Sequence, residues 1–209
     1  MEKLTIHNQG YFDRIQRAES WLHRAQAIED WEDQSGPFIF YWIALNALYG
    51  RDKRSRLSED DDLAWFLDRI CHLDQADRAI FAALEPFKSK ADRLLTDQFL
   101  VDGYWQEGNS PKVKRRIEED RLKGQQAWNR GKPEQYLMLL FRRFRVLRNQ
   151  IFHGCSTDRR SLNKTSLQPA VELLEVLIPQ FCTTMKKYGK EDDWPPVSYP
   201  RKGSPLHPQ

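Results

Sequence analysis

Arg148, Asn149 and His153 bring three side chains suited to chemistry at a phosphate group into one short stretch of the sequence. Histidine, whose unperturbed pKa is about 6.5, can accept or donate a proton at neutral pH. Arginine is a permanent planar cation that binds phosphate through paired hydrogen bonds. As residue types alone, an arginine and a histidine at this spacing are a weak pattern. The simpler interpretation is that Arg148 pairs with a core acid and His153 caps a helix.

The hydrophobic pattern around these residues predicts one long helix, from about residue 134 to residue 153, with Gly154 where a helix ends. Its apolar arc is formed by Leu137, Leu140, Phe141, Phe144, Leu147 and Ile151. Arg148 falls inside this arc, where an unpaired guanidinium is costly, so we expect it to meet a carboxylate of the fold or a phosphate of a ligand. On a regular helix Arg148 lies about 140° from His153. The two would line one cleft only if the last turn opens or two copies meet across a dimer axis.

The other polar residues of this helix share a different face. Asn149 and His153 are four residues apart, about 40° from each other around the helix, and Arg142 and Arg145 group with them. Arg143 points elsewhere and is expected to lie on the ordinary surface.

A second segment, Phe38 to Tyr49, is apolar nearly all round and predicts a buried central helix that ends at Gly50. Asn46 is the polar exception in this helix and needs a hydrogen-bond partner if it is buried. Two roles stay open for Asn46: it holds the neighbouring helix in place, or it joins the functional site.

The remaining sequence has helical period and no convincing alternation of two residues, which predicts an all-α fold. Further helices are predicted over residues 11–28, 58–71, 75–84, 91–101, 111–126 and 167–188, with a break at Ser35-Gly36-Pro37 and a stop near Pro86. We expect one domain over residues 1–189. A proline-rich tail over residues 190–209 is predicted to be extended or disordered.

Several local patterns have two interpretations. Ser58 followed by the acids 59–62 is typical of a capped helix N-terminus, which is favoured over a metal-binding run. Tyr104 and Trp105 could stack on bases, but packing within their loop is the favoured interpretation. Residues 194–196, Trp-Pro-Pro, could dock on another protein, although a bare tail is the default.

Composition excludes several classes of protein. The chain has 209 residues, 40% of them hydrophobic, and a net charge of +3 from 33 basic and 30 acidic side chains. The longest uncharged apolar stretch, residues 36–50, is shorter than the roughly 20 residues of a membrane span, and the first residues lack the apolar core of a signal peptide. The three cysteines and five histidines form no metal-binding spacing. We expect a cytoplasmic protein without metal or cofactor.

Two segments together resemble the HEPN superfamily, and most closely the prokaryotic HEPN proteins of toxin–antitoxin and phage-defence systems. The segment 147–154 matches the family's pattern of an arginine, often followed by a polar residue, with a histidine a few residues later. The segment 40–49, with Asn46 among aromatic and aliphatic residues, is similar to the family's preceding core helix. By helix order the resemblance extends over residues 35–188, and residues 51–131 form a helical insert without a family motif.

This resemblance implies a helical bundle that dimerises so that two motifs face each other, and a metal-independent endoribonuclease. Arg148, Asn149 and His153 are then the catalytic residues, and the products are a 2′,3′-cyclic phosphate and a 5′-hydroxyl. Arg142 and Arg145 would bind RNA phosphates beyond the scissile bond. An antitoxin or another regulatory protein would restrain the activity.

Two other functions compete with this one. In a non-catalytic HEPN module for dimerisation or for RNA or nucleotide binding, the motif would only hold a phosphate. In a helical scaffold unrelated to HEPN proteins, Arg148 would be tied to an internal carboxylate and His153 would lie away from any cleft.

Overall fold

The computed structural model describes residues 6–30, 32–51, 58–153, 164–195 and 197. Throughout these ranges every regular element is a helix, which confirms the all-α prediction. The helices are α1 (Ile6–Gln26), α2 (Ser35–Tyr49), α3 (Glu59–Leu73), α4 (Ala79–Leu84), α5 (Lys88–Thr96), α6 (Tyr104–Glu107), α7 (Pro111–Asn129), α8 (Pro133–Phe152) and α9 (Lys164–Tyr188). Single 3₁₀ turns at Glu85–Phe87 and Gln98–Leu100 join neighbouring helices.

Aromatic residues join the central helices into one core. Phe38 of α2 meets Phe144 of α8 edge to face, with ring centroids 6.4 Å apart. Phe181 of α9 lies 6.3 Å from Phe141 of α8 and 5.7 Å from Phe66 of α3. All five rings are fully buried. The predicted burial of α2 is confirmed, and α3 packs into the same core although it belongs to the segment 51–131 expected to be an insert.

Local capping explains where the functional helices begin. The Ser58 side chain accepts a hydrogen bond from the Asp61 backbone N–H, and the Asp61 carboxylate accepts one from the Ser58 backbone N–H. This reciprocal pair is a capping box, so the predicted N-terminus of α3 is confirmed. Pro133 occupies the first turn of α8, where its missing N–H costs no helical hydrogen bond.

Three predicted helix boundaries differ from the structure, because a proline or a short polar side chain determines the local backbone in each case. Ser35, Gly36 and Pro37 form the first turn of α2 instead of preceding it, as the opening turn tolerates proline. The predicted helix over 91–101 ends at Thr96, since the Asp97 carboxylate accepts a hydrogen bond from Phe99 N–H and starts a 3₁₀ turn. Pro86 lies within a 3₁₀ turn that leads directly into α5.

The described part of the tail packs on the bundle. Trp194 is only 2% exposed, donates a hydrogen bond from Nε1 to Gly189 O (2.7 Å), and meets Trp65 edge to face at 5.8 Å. Val197 is also buried. Residues 193–195 form no regular element, as the prediction of an extended tail allows. The default interpretation of a bare tail is wrong for Trp194, because burial of a large indole fixes the chain despite its prolines. The rest of the tail lies outside the described residues.

Arg14 fastens α1 to the end of α2 and to the tail. Its Nη1 donates to Leu48 O (2.6 Å) and Gly50 O (2.8 Å), and its Nη2 donates to Pro195 O (2.8 Å). The side chain is fully buried, and this burial, with a smaller effect from nearby Arg51, lowers the pKa of Arg14 to about 10. One guanidinium thus satisfies three backbone carbonyls, two at the C-terminal end of α2 and one in the tail.

Replacement of Arg14 by alanine should destabilise the protein strongly, because it leaves three carbonyls without their donor and opens a cavity. We expect the free energy of unfolding in urea to fall by about 3 kcal/mol. The exposed Arg115, paired with Glu119 along α7, provides the matched control, and Arg115→Ala should cost at most about 0.5 kcal/mol. Equal losses in the two variants would contradict the role of Arg14.

Candidate functional site

Arg148 meets an anion of the fold, one of the two expectations from its place in the apolar arc. Its Nη2 lies 3.1 Å from Oε1 and 3.0 Å from Oε2 of Glu59, the first residue of α3. Its guanidinium carbon lies 5.2 Å from the centroid of the Trp42 ring of α2, in cation–π contact. The side chain is 22% exposed. Three helices thus converge on this guanidinium, and one of its edges stays near the surface.

Tyr49 orients the Glu59 carboxylate. The Tyr49 hydroxyl donates a hydrogen bond to Glu59 Oε1 at 2.9 Å. Burial, and next the charge of Glu59, raise the pKa of Tyr49 well above its usual value, so the phenol keeps its proton and remains a donor. The carboxylate therefore accepts from Tyr49 and from Arg148 together, and the three groups form one network.

Asn46 lies on the face of α2 that meets this network. Trp42 and Tyr49 precede and follow it at helical spacing, and they contact Arg148 and Glu59. Within the described part of the chain, the buried Asn46 Oδ1 accepts no hydrogen bond and the buried Arg148 Nε donates none. Asn46 thus has an unused acceptor beside the motif helix, and neither of its two predicted roles is decided by this placement.

The other arginines predicted to bind phosphate also face carboxylates. Arg145 pairs with Asp60 of α3, and its Nη2 lies 3.1 Å from Asp102 Oδ2. Arg142 Nε lies 3.6 Å from Asp60 Oδ2. Glu59 and Asp60 belong to the first turn of α3, Glu59–Asp62, which we call the acidic turn. Besides favouring the helix dipole, this turn supplies counter-ions to α8, a role that the local sequence did not reveal.

Asn149 and His153 lie at the exposed end of α8. Both side chains are exposed, and the His153 backbone N–H donates to Asn149 O at 3.0 Å as the helix ends. Between them Phe152 exposes 60% of its surface. Because α8 stays helical through Phe152, its last turn does not open, and Arg148 and His153 of one chain point in different directions. Gly154 lies outside the described residues.

Arg143, expected on the surface, is buried. Its Nε donates to Leu95 O (3.1 Å) and its Nη2 to Asp120 Oδ2 (2.7 Å). Burial lowers the pKa of Arg143, and the adjacent Asp120 opposes that shift. The prediction is wrong because α5 and α7 cover this side of α8, which the helical wheel of one segment cannot reveal.

Phe99, Tyr104 and Trp105 form an aromatic cluster beside α8. The Phe99 centroid lies 5.1 Å from that of Tyr104 and 6.0 Å from that of Trp105. Trp105 is 52% exposed and Phe99 37%. The favoured interpretation, packing within the loop, is therefore confirmed, because Trp105 contacts both other rings and donates from Nε1 to Phe99 O, although about half of its surface stays exposed. Gln150 connects the cluster to α8, since its Nε2 donates to Phe99 O at 2.7 Å.

Neither the described residues nor the comparisons with known proteins identify a metal site, a membrane span or a family. Among the described residues, no group of three or more His, Cys, Asp or Glu side chains could hold a metal ion, and no helix is long and apolar enough to cross a membrane. Searches against protein-family models, curated proteins and solved structures find no match for this chain. The resemblance to HEPN proteins therefore rests on the motif residues alone.

Tyr49→Phe should weaken the network, because it removes the donor that orients Glu59. We expect the free energy of unfolding to fall by about 1 kcal/mol in urea denaturation. Tyr41→Phe is the matched control. Tyr41 lies on the same helix, and burial, aided by the charge of Glu175, raises its pKa to about 12, but no described residue hydrogen-bonds its hydroxyl. A loss in Tyr41→Phe as large as in Tyr49→Phe would contradict the role of the Tyr49–Glu59 bond.

Proposed function

We propose that this protein is a metal-independent endoribonuclease of HEPN type, acting as a cytoplasmic homodimer in a toxin–antitoxin or phage-defence role under the restraint of a partner protein. One observation carries the proposal: Asn149 and His153 are both exposed at the end of the helix whose preceding turn holds the partly exposed Arg148. These side chains supply the proton transfer and the positive charge that RNA cleavage requires.

The reaction assigns one task to each residue type. A histidine takes the proton of the 2′-hydroxyl, whose oxygen attacks the adjacent phosphorus, and a second histidine protonates the departing 5′-oxygen. Arg148 stabilises the negative charge of the pentavalent phosphorane. Asn149 hydrogen-bonds the phosphate or fixes the tautomer of His153. The P–O bond to the 5′-oxygen breaks, which leaves a 2′,3′-cyclic phosphate and a 5′-hydroxyl.

A dimer supplies what one chain lacks. One motif holds a single histidine, whereas separate acid and base tasks need two. In addition, Arg148 and His153 of one chain lie about 140° apart around α8, so a second copy can place its own His153 near the same phosphate. The exposed Phe152 beside His153 offers apolar surface for such a contact.

RNA must compete with the acidic turn for the arginines. In the proposed complex Arg142 and Arg145 bind phosphates beyond the scissile bond, where Asp60 and Asp102 now lie. Binding is then an exchange of carboxylate for phosphate, and its affinity falls as salt is added.

The same ion pairs suit a second candidate, the non-catalytic HEPN module, although the Arg148–Glu59 pair is also the contact expected of the unrelated scaffold. Arg142, Arg145 and Arg148 each face a carboxylate in the free chain. A surface neutralised in this way suits reversible capture of a phosphate or nucleotide without turnover. Catalysis and simple binding differ in their dependence on His153.

Cleavage of mixed RNA in EDTA tests the proposal directly. The wild-type protein should produce fragments with cyclic-phosphate ends, and His153→Ala and Arg148→Ala should each lose at least about a hundredfold in rate. The control is His72→Ala, because His72 is likewise an exposed histidine near a helix C-terminus, on α3, and its loss should leave the rate unchanged.

The alternative outcomes separate the candidates. RNA binding without cleavage, retained in His153→Ala, would favour the binding module. Neither binding nor cleavage by the folded protein would favour the unrelated scaffold. Equal cleavage by wild type and His153→Ala would remove His153 from the site.

Glu59→Gln should strengthen RNA binding. The amide can still accept the Tyr49 hydrogen bond, but Arg148 loses its counter-charge and becomes available to phosphate. In the His153→Ala background we expect affinity, measured by fluorescence anisotropy at low salt, to rise by about three- to tenfold. Glu119→Gln removes the same charge from an exposed ion pair on α7 and should change affinity less than about twofold. Equal gains in both variants would indicate a general charge effect.

A further inference from the structure

Two of the three rings of the aromatic cluster, Phe99 and Trp105, are partly exposed. Phe99 and Trp105 are inclined by only 35° to each other, whereas Tyr104 stands edge-on to both, at 78° and 89°. Tyr104 thus supports two neighbouring rings from the side, and the outer part of Trp105 stays exposed. A planar group can stack on such a surface without displacing protein contacts.

Hydrogen bonds hold these rings in place. Trp105 Nε1 donates to Phe99 O at 3.2 Å, and Gln150 Nε2 donates to the same carbonyl at 2.7 Å. The 3₁₀ turn that carries Phe99 is capped by Asp97, whose carboxylate accepts a hydrogen bond from Phe99 N–H. The cluster is therefore pre-organised, so a ligand pays little entropy to order it.

The cluster adjoins the exposed end of α8. Phe99 contacts Gln150, and Asp102 contacts Arg145, so the segment 99–102 packs against α8 between these two residues. Asn149 and His153 remain exposed. Along the helix Gln150 and His153 differ by about 4.5 Å and about 60°, which places the contact between Gln150 and Phe99 within one helical turn of the proposed reacting group.

Positive charge accompanies the rings. Arg116 of α7 donates from Nη1 to the Asp102 carbonyl at 2.8 Å, and no described carboxylate forms a salt bridge with it. Glu107 of α6 already pairs with Lys112 at 2.6 Å, and Asp102 with Arg145 at 3.1 Å. Arg116 also acts on the Glu107 carboxylate, whose pKa its charge helps to lower after the larger effect of Lys112. Through its bond to Asp102, which lies between Phe99 and Tyr104 in the sequence, it brings a guanidinium to the segment that carries the rings, and such a cation can contact a backbone phosphate.

From this geometry we infer that the aromatic cluster is a stacking site for an unpaired base of single-stranded RNA. The inference rests on the proposed function and specifies its substrate: the nucleotide on the cluster is a neighbour of the one cleaved. Trp105 is the main contact and a specificity-determining residue, because only an unpaired base exposes a face for stacking. In a duplex both faces of each base are covered by the next pairs.

Binding without turnover tests the stacking site, using the full chain in the His153→Ala background. The probes are a labelled oligoadenylate of about twelve nucleotides and the duplex that it forms with its complement. Trp105→Ala should weaken single-strand binding about tenfold and leave duplex binding unchanged, whereas Trp105→Phe should keep most of the affinity. Trp21→Ala is the matched control, since Trp21 is 37% exposed on α1, where it stacks on Phe40.

Four results would overturn the stacking site. They are no binding of either probe, wild-type affinity in Trp105→Ala, an equal loss for both probes, and a change of oligomeric state in Trp105→Ala at constant RNA affinity. The last would mean that the cluster binds protein. Cleavage by the wild type is measured separately. A selective loss in Trp105→Ala without any cleavage supports the stacking site and rejects the nuclease, whereas cleavage with an unaltered KM in Trp105→Ala rejects only the stacking site.

Discussion

The guanidinium of Arg148 constrains the whole site, because it projects from the apolar arc of a core helix and cannot be left without an anion. Glu59 supplies that anion, Tyr49 orients it, and Trp42 covers the guanidinium. These groups come from α2, α3 and α8, so the network joins the three helices at one point. The charged network and the aromatic core therefore depend on the same packing of α2, α3 and α8.

The acidic turn serves two purposes with the same side chains. Its carboxylates stabilise the N-terminus of α3 through the helix dipole and the capping box, and they neutralise the arginines of α8. Since Glu59 and Asp60 are partly exposed, these pairs contribute little to stability compared with the buried core. A phosphate could replace them at modest cost in free energy, while a neutralised surface holds other polyanions weakly.

Local rules predicted what depends on neighbours in the sequence, and failed where the partner is distant. Capping and periodicity predicted the start of α3, the start of α8 and the apolar arc of α8. The position of Arg148 in that arc predicted its need for an anion. No local pattern selects Glu59 as that anion, because 89 residues separate the pair. Arg143 and Trp194 were misplaced for the same reason. The burial of Arg143 depends on α5 and α7, and the burial of Trp194 depends on α3.

The helical end of α8 has a consequence for any catalytic use of the motif. A regular helix keeps Arg148 and His153 about 140° apart, and α8 is regular through Phe152, so one chain presents the cation and the imidazole to different sides. A single phosphate can meet both only if it is approached by two copies of the helix. The aromatic cluster, on the His153 side of α8, would in that arrangement guide the strand toward the composite site from each half of the dimer.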